Sequence, residues 1–199
     1  ENGELASGLF GEGRMAEPEQ IIKYLDDFFL SSKQLSGKNI LVTAGPTYEA
    51  IDPVRFIGNH SSGKMGVAIA EEFLNRGANV TLILGPSTIN ADAKINTIKV
   101  TSASEMYDAC VESFPEINIA VMAAAVADYT PQILSSEKIK KTKDELSLDF
   151  RKTKDILKQL GELKTSDQIL IVFALETNNE KENALSKLEK KNWDTVELN

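Results

Sequence analysis

Apolar residues recur along this chain with two periods, and their alternation predicts the architecture. Short apolar runs read as strands: Asn39–Thr43, Asn79–Leu84, Thr97–Val100, Ile117–Ala124, Ile169–Ala174 and Trp193–Leu198, with a weaker one at Leu146–Phe150. The runs INIAVMAA and ILIVFA are continuous rather than alternating, as expected of strands covered on both faces. Between the strands the spacing changes. Met65, Ile69 and Phe73 fall at i, i+4 and i+8 of a helix from about Gly63 to Arg76, which Gly77 stops. Met106, Cys110 and Phe114 share one face of a helix over Ser102–Phe114, with Ser102 or Ser104 as its cap. Further helices are expected over Asp155–Leu163 and Asn183–Lys191. Strands and helices alternating at these lengths predict an α/β fold, Rossmann-like and doubly wound, with a mainly parallel sheet and helices on both faces.

The first 37 residues read differently. Residues 1–17 contain Gly3, Gly8, Gly11 and Gly13, too many for a helix, in a pattern too irregular for a strand. Pro18 then opens a helix, PEQIIKYLDDFFL, and residues 31–37 form a linker. The main domain is placed at 38–199. Its sequence stops inside an apparent strand, so a C-terminal element is expected to be missing.

Composition narrows the function classes. Thirty acidic against 22 basic residues give a net charge of −8, which argues against a nucleic-acid surface but leaves room for a local lysine cluster to hold an anion. A single cysteine, Cys110, excludes an internal disulfide and points to a reducing, cytoplasmic setting. No apolar run approaches the roughly 18 residues of a membrane span, and no signal-peptide pattern is visible.

In open parallel sheets, ligands sit beyond the C-terminal ends of the strands. That rule nominates the loops 45–62, 85–87, 125–141 and 175–179. They collect Thr47, Glu49, Asp52, Arg55, Asn59, Ser61, Ser62, Asp128, Lys138, Lys140, Lys141, Glu176, Asn178 and Asn179. The set suits a phosphorylated ligand, with lysines for its oxygens and carboxylates for a metal or hydroxyls. Two motifs fall short. Gly58 to Lys64 matches G-x-x-x-x-G-K, but Met65 follows where a P-loop needs Ser or Thr, and the preceding strand ends too early. Gly45-x-x-x-Glu49 is not the dinucleotide fingerprint, which disfavours nicotinamide or flavin chemistry.

Single residues admit two readings each. Asn59 is either a helix cap or an amide donor to a carboxylate or oxyanion. Lys138, Lys140 and Lys141 are either a solvated run or anion ligands. His60 is a locally bonded loop histidine or a base. Cys110 packs in the core rather than acting as a nucleophile. Asp128 is a turn former or a ligand carboxylate. Lys187 and Lys191 share a helix face by their i, i+4 spacing.

Taken together, GPTYEAIDPVRFIGNHSSGKMG, AAAVADYTP, EKIKK and FALETNN with the lysine-bearing stretch after it resemble the bacterial phosphopantothenate–cysteine ligase family, over Lys38–Asn199 in order. ELASGLFGEGRMAEP similarly resembles the C-terminal tail of the flavin-dependent phosphopantothenoylcysteine decarboxylase often fused to that ligase, so residues 1–17 read as its remnant and 18–37 as helix and linker. The decarboxylase pattern carries a cysteine where this chain has Ser7. FMN belongs to that decarboxylase domain and is not expected here.

The resemblance implies a two-step reaction. The carboxylate of phosphopantothenate attacks the α-phosphate of CTP, giving an acyl-cytidylate and pyrophosphate. The amine of cysteine then displaces CMP. It also implies roles. Asn59 handles the acyl-cytidylate with Arg55 as partner, and Lys138 drives activation. Ser61, Ala125, Asp128, Phe173, Lys187 and Lys191 lie on the nucleotide side. Arg151, Lys152, Thr153 and Lys154 occupy the place of a commoner K-N-P-D pattern there. Mg2+ accompanies CTP, with its protein ligands open, and the family ligase is a homodimer with substrate near the subunit interface. Two other readings are kept: a non-catalytic nucleotide-binding or assembly fragment, and a nicotinamide-dependent reductase, which rests on sheet topology alone.

Overall fold

The computed structural model describes residues 2–4, 10–12, 16–31, 33–140, 145–174 and 192–198. Its centre is a six-stranded sheet. In chain order the strands are β3 (Asn39–Ala44), β6 (Asn79–Leu84), β7 (Asn96–Lys99), β8 (Ile119–Met122), β11 (Ile169–Ala174) and β12 (Thr195–Leu198), and in space they run β12-β11-β8-β3-β6-β7. Every neighbouring pair is parallel. The first strand thus lies in the middle, the second and third extend to one side, and the fourth to sixth extend to the other.

Alternate residues of each strand serve two separate cores. Ile40 and Val42 of β3, with Leu82 and Leu84 of β6, pack against Val67 and Ala70 of helix α2 (Lys64–Asn75). Leu41, Ile83, Ala120, Leu170 and Val172 point the other way, onto Met106 and Cys110 of α3 (Ala103–Ser113), Phe114 just after it, and Ile156 and Leu160 of α4 (Ile156–Leu163). The period of two inside the strands is what delivers one apolar set to each face. The sheet is therefore doubly wound, as its continuous apolar runs predict. Burial pushes the Cys110 thiol up to about 12 from its ordinary 9.0. Ser102 caps α3, accepting from the Glu105 amide while the Glu105 carboxylate reaches back to Ser102.

Several short elements differ from the sequence expectation. Residues 2–4 and 10–12 form an antiparallel pair, β1 and β2, inside the glycine-rich leader. Helix α1 follows at Pro18–Ser31. Part of the loop after β3 is a hairpin, β4 (Tyr48–Ala50) against β5 (Phe56–Gly58), closed by the stacked rings of Tyr48 and Phe56 at 3.9 Å. The weak strand expected at 146–150 lies instead at β10 (Phe150–Lys152), paired with β9 (Tyr129–Pro131) in a stretch expected to be loop. Three-residue strands carry too few positions for a period to register. The helix expected over 183–191 lies outside the described residues, as does Ser7. Among the described residues, no helix is long and apolar enough to cross a membrane.

Candidate active site where the strand order reverses

The order of strands reverses between β3 and β8. A crevice forms at such a point in open α/β sheets. Here the loops that follow the two strands are first sewn together. The Ala125 amide donates to the Gly45 carbonyl at 2.9 Å, the Thr47 amide to the Ala125 carbonyl at 3.3 Å, and the Ala127 amide to the Thr47 hydroxyl at 3.0 Å. Thr47 is fully buried, so its hydroxyl works as an internal tie. Beyond the ties, Asn59 reaches across. Its Nδ2 donates to the carbonyls of Val126 at 3.0 Å and Ala125 at 3.5 Å. Asn59 is thus a bridge from the first loop to the second, and Gly63, not Asn59, occupies the helix N-cap position.

Helix α2 starts at this crevice and presses hard on β3. A Cβ on Gly66 would lie 2.5 Å from the Ala44 Cβ and 3.0 Å from the Thr43 carbonyl oxygen, so only glycine lets the helix approach so closely. Ser61 and Ser62 precede the helix. Each hydroxyl accepts from the amide two residues ahead, Gly63 and Lys64, at 3.3 Å. The Ser87 hydroxyl donates to the Ser62 carbonyl at 2.7 Å, which joins the loop after β6 to the same place.

On the β8 side, Asp128 is exposed at the turn after Ala127. The pairing of β9 with β10 lays residues 151–153 beside residues 128–130, with Arg151 opposite Thr130 and Lys152 opposite Tyr129. Thr153 clamps the turn: its hydroxyl donates to the Ala127 carbonyl at 2.8 Å and its amide to the Asp128 carbonyl at 2.9 Å. Arg151 and Lys152 are exposed next to it. Lys154 is turned towards α3, where its ammonium lies 3.4 Å from the Asp108 carboxylate and 4.5 Å from the centre of the Tyr107 ring. Phe173 is half-buried near the C-terminal end of β11, beside the core of the α2 face. Lys187, Lys191, Lys141, Glu176, Asn178 and Asn179 lie outside the described residues.

The lysine segment 138–140 is fixed by the first loop. The Arg55 guanidinium donates to the Ile139 carbonyl at 2.6 Å, the Ile139 amide donates to the Asp52 carboxylate at 3.2 Å, and the Ser135 amide donates to the Ile51 carbonyl at 3.1 Å. Arg55 and Lys138 therefore belong to one assembly, with Lys138 and Lys140 exposed on either side of the held residue. The two loop carboxylates do not serve a metal or substrate hydroxyls, as the sequence alone allowed. Glu49 is buried and accepts from the Ala103 amide at 2.8 Å, at the start of α3. Asp52 is consumed by its own loop and by Ile139. The signal was present in D-P-V-R, because an aspartate two and three residues before amide donors forms an Asx turn. Among the described residues no group of three or more His, Cys, Asp or Glu is placed to hold a metal ion.

Burial pushes the Asp52 carboxyl up, but the amides of Val54, Ile139 and Arg55 and the Arg55 guanidinium together outweigh it and hold its pKa below the ordinary 3.8. A carboxyl whose folded pKa is lowered stabilises the fold fully above its unfolded value, and that contribution is lost as pH falls through the folded value. The Ile139 amide resonance is therefore expected to titrate with a midpoint below 3.8. A midpoint at or above 3.8 in an NMR titration contradicts this.

Comparisons with known proteins bear on the family and the fold. A family model described as the DNA/pantothenate metabolism flavoprotein C-terminal domain matches residues 35–199. A cysteine/cysteine sulfinic acid decarboxylase from an unknown prokaryotic organism is 51% identical over 203 residues, covering 100% of this chain and 56% of that protein. The coenzyme A biosynthesis bifunctional protein CoaBC of Haemophilus influenzae is 50% identical over 191 residues, covering 96% of this chain and 48% of that protein. Among solved structures, the C-terminal domain of a CoaBC protein superposes with a TM-score of 0.75 at 44% identity, over 84% of this chain and 80% of that one. The chain spans about half the length of the curated relatives it matches. On the matched span and on the doubly wound sheet alike, the chain belongs to the DNA/pantothenate metabolism flavoprotein C-terminal domain family.

Proposed function

We propose that this chain carries the CTP-dependent ligation of phosphopantothenate with cysteine, a step of coenzyme A biosynthesis. The observation that carries the reading is the assembly at the strand reversal. The loop bearing Arg55 and Asn59 is bonded both to the Ala125–Asp128 turn and to the Lys138 segment. In the first step a carboxylate oxygen of phosphopantothenate attacks the α-phosphorus of CTP, the bond to the bridging oxygen breaks, and pyrophosphate leaves. In the second, the cysteine amine attacks the acyl carbon, CMP leaves with the bonding pair, and the amine gives up a proton as the amide forms. Neither step needs a side-chain nucleophile. Both need fixed cations and donors in a crevice that holds the reactants in line.

In this reading Lys138 stabilises charge on the phosphate under attack, and Arg55 and Asn59 hold the acyl end. Ser61, Ala125, Asp128, Arg151, Lys152 and Thr153 line the nucleotide side, with Phe173 near the base and Lys187 and Lys191 on the triphosphate. Mg2+ enters as part of the triphosphate substrate and offsets its charge. FMN chemistry belongs to the other half of the bifunctional relatives, and the setting is cytoplasmic. A homodimer is supported by the exposed large apolar side chains of the loops that build the site: Val54, Phe56, Ile57, Tyr129, Ile133 and Leu134.

The test is pyrophosphate release with each of the four nucleoside triphosphates, with and without phosphopantothenate. Release from CTP that requires the acid supports the reading, and turnover indifferent to the acid sinks it. Because the chain spans about half of its relatives, a second reading is a nucleotide-binding fragment without catalysis. CTP binding by calorimetry with no turnover in the same sample selects that one.

A further inference from the structure

The Asp52 side chain is fully shielded from solvent, and its bonds run to loop backbone and to Arg55. Oδ1 accepts from the amides of Val54 at 2.8 Å and Arg55 at 2.9 Å, which closes the turn of its own loop. Oδ2 faces outward from that turn. It accepts from the Ile139 amide at 3.2 Å and pairs with the Arg55 guanidinium at 3.0 Å. The guanidinium in turn takes the Ile139 carbonyl at 2.6 Å. Both backbone polar groups of one residue, 87 positions away from Asp52 in sequence, are thus held by one ion pair. Its partners Val54, Arg55 and Ile139 lie in two loops at the C-terminal end of the sheet, and none of the three is in a sheet strand or helix. A group bonded in this way fixes the loops against each other and leaves the sheet to its own cores.

We propose that Asp52 is a positioning residue for the ligation, whose carboxylate locks the acyl-side Arg55 and the Lys138 segment into one register. The inference rests on the ligase reading above, and it names a device within that site. A lysine that meets the phosphate has three donors but a long, rotatable stem, so its placement depends on the backbone that carries it. Ile139 is the residue next to it, and Asp52 with Arg55 leaves that residue no free polar group on its main chain. Arg55 is oriented by the same carboxylate, so activation and acyl handling share one anchor. A misplacement on the order of 1 Å at such a site costs about 100-fold in rate.

Asp52→Asn separates the two halves of the clasp. An asparagine Oδ1 still accepts from Val54 and Arg55, so the turn survives. Its Nδ2, however, is a donor facing two donors, the Ile139 amide and the Arg55 guanidinium, so the link between loops is lost. In the full chain, the rate of phosphopantothenate-dependent pyrophosphate release is expected to fall about 100-fold, with KM for CTP changed less than about threefold. In a Lys138→Gln background the same change is expected to cost no more than about threefold, because groups acting through one another are not additive. Hydrogen exchange should speed up at 135–140 and stay slow in β3 and β8. A variant with near-normal release, a full additive loss in the Lys138→Gln background, or exchange that rises in the sheet itself overturns the proposal. Complete unfolding of the variant also overturns it, since the clasp would then be holding the fold. A wild-type protein without acid-dependent release rejects the ligase reading and this one with it, whereas an active wild type with an undiminished Asp52→Asn variant rejects only this one.

Discussion

Pyrophosphate release from CTP in the presence of phosphopantothenate is expected to fall by roughly 100- to 1,000-fold in Lys138→Gln, the range seen when one preorganised donor to a developing charge is removed. The reasoning starts from geometry. Lys138 is exposed, and its neighbour Ile139 is held through both its amide and its carbonyl by Asp52 and Arg55. Its ammonium therefore projects from a fixed backbone beside the crevice, and glutamine keeps much of the length while removing the charge. Fold stability should move by no more than about 0.5 kcal/mol, as for other exposed substitutions. A loss of rate with an unchanged melting curve places Lys138 in the chemistry. A near-normal pyrophosphate burst removes it from the mechanism.

Gly85→Ala is the substitution with the largest expected effect on stability. Gly85 follows β6, its amide donates to the Ala44 carbonyl at 2.9 Å, and a Cβ there would overlap the Pro46 carbonyl oxygen. The obstruction is backbone and cannot swing aside as a side chain could. Pro46 also bridges Ala125, so pushing it away strains the junction of β3 and β8 loops. Overpacking of this kind costs about 3 kcal/mol at its upper end, which for a chain of this size lowers the melting temperature by roughly 6–12 °C. Thermal denaturation followed by circular dichroism measures this, and a loss below about 1 kcal/mol shows that the loop yields more easily than its contacts imply.

The central sheet was legible because its strands are long enough for their pattern to register and because both faces are buried. ILIVFA and NVTLIL occupy the spans expected of them. The strand within INIAVMAA is shorter at both ends: Ile117 closes the turn after Phe114, and Ala123 and Ala124 bond to Thr43 as the chain turns to meet the β3 loop at Ala125. The three-residue strands were not legible. Their pairing depends on a partner tens of residues away, as Tyr129–Pro131 depends on Phe150–Lys152.

For the candidate site, the rule about strand ends nominated the β3 and β8 loops that the structure bonds together, but polarity could not say what each side chain is for. Glu49 and Asp52 read as free carboxylates and are spent on backbone amides. Thr153 read as a nucleotide contact, and its hydroxyl is engaged in clamping the turn at Asp128. Lys154 read with it, although it faces Tyr107 and Asp108 on α3. Such assignments follow from tertiary partners, which a linear spacing does not contain.

The buried thiol on α3 has a consequence for redox chemistry. Thiol–disulfide exchange runs through the thiolate and needs access to the attacking sulfur. Cys110, enclosed and with its pKa pushed up to about 12, offers neither. A protein that handles free cysteine as proposed would otherwise face mixed disulfides with its own substrate and thiol product. Keeping the single thiol of this chain protonated inside the core removes that side reaction, and it makes the reactivity of Cys110 a reporter of how often the α3 face of the core opens.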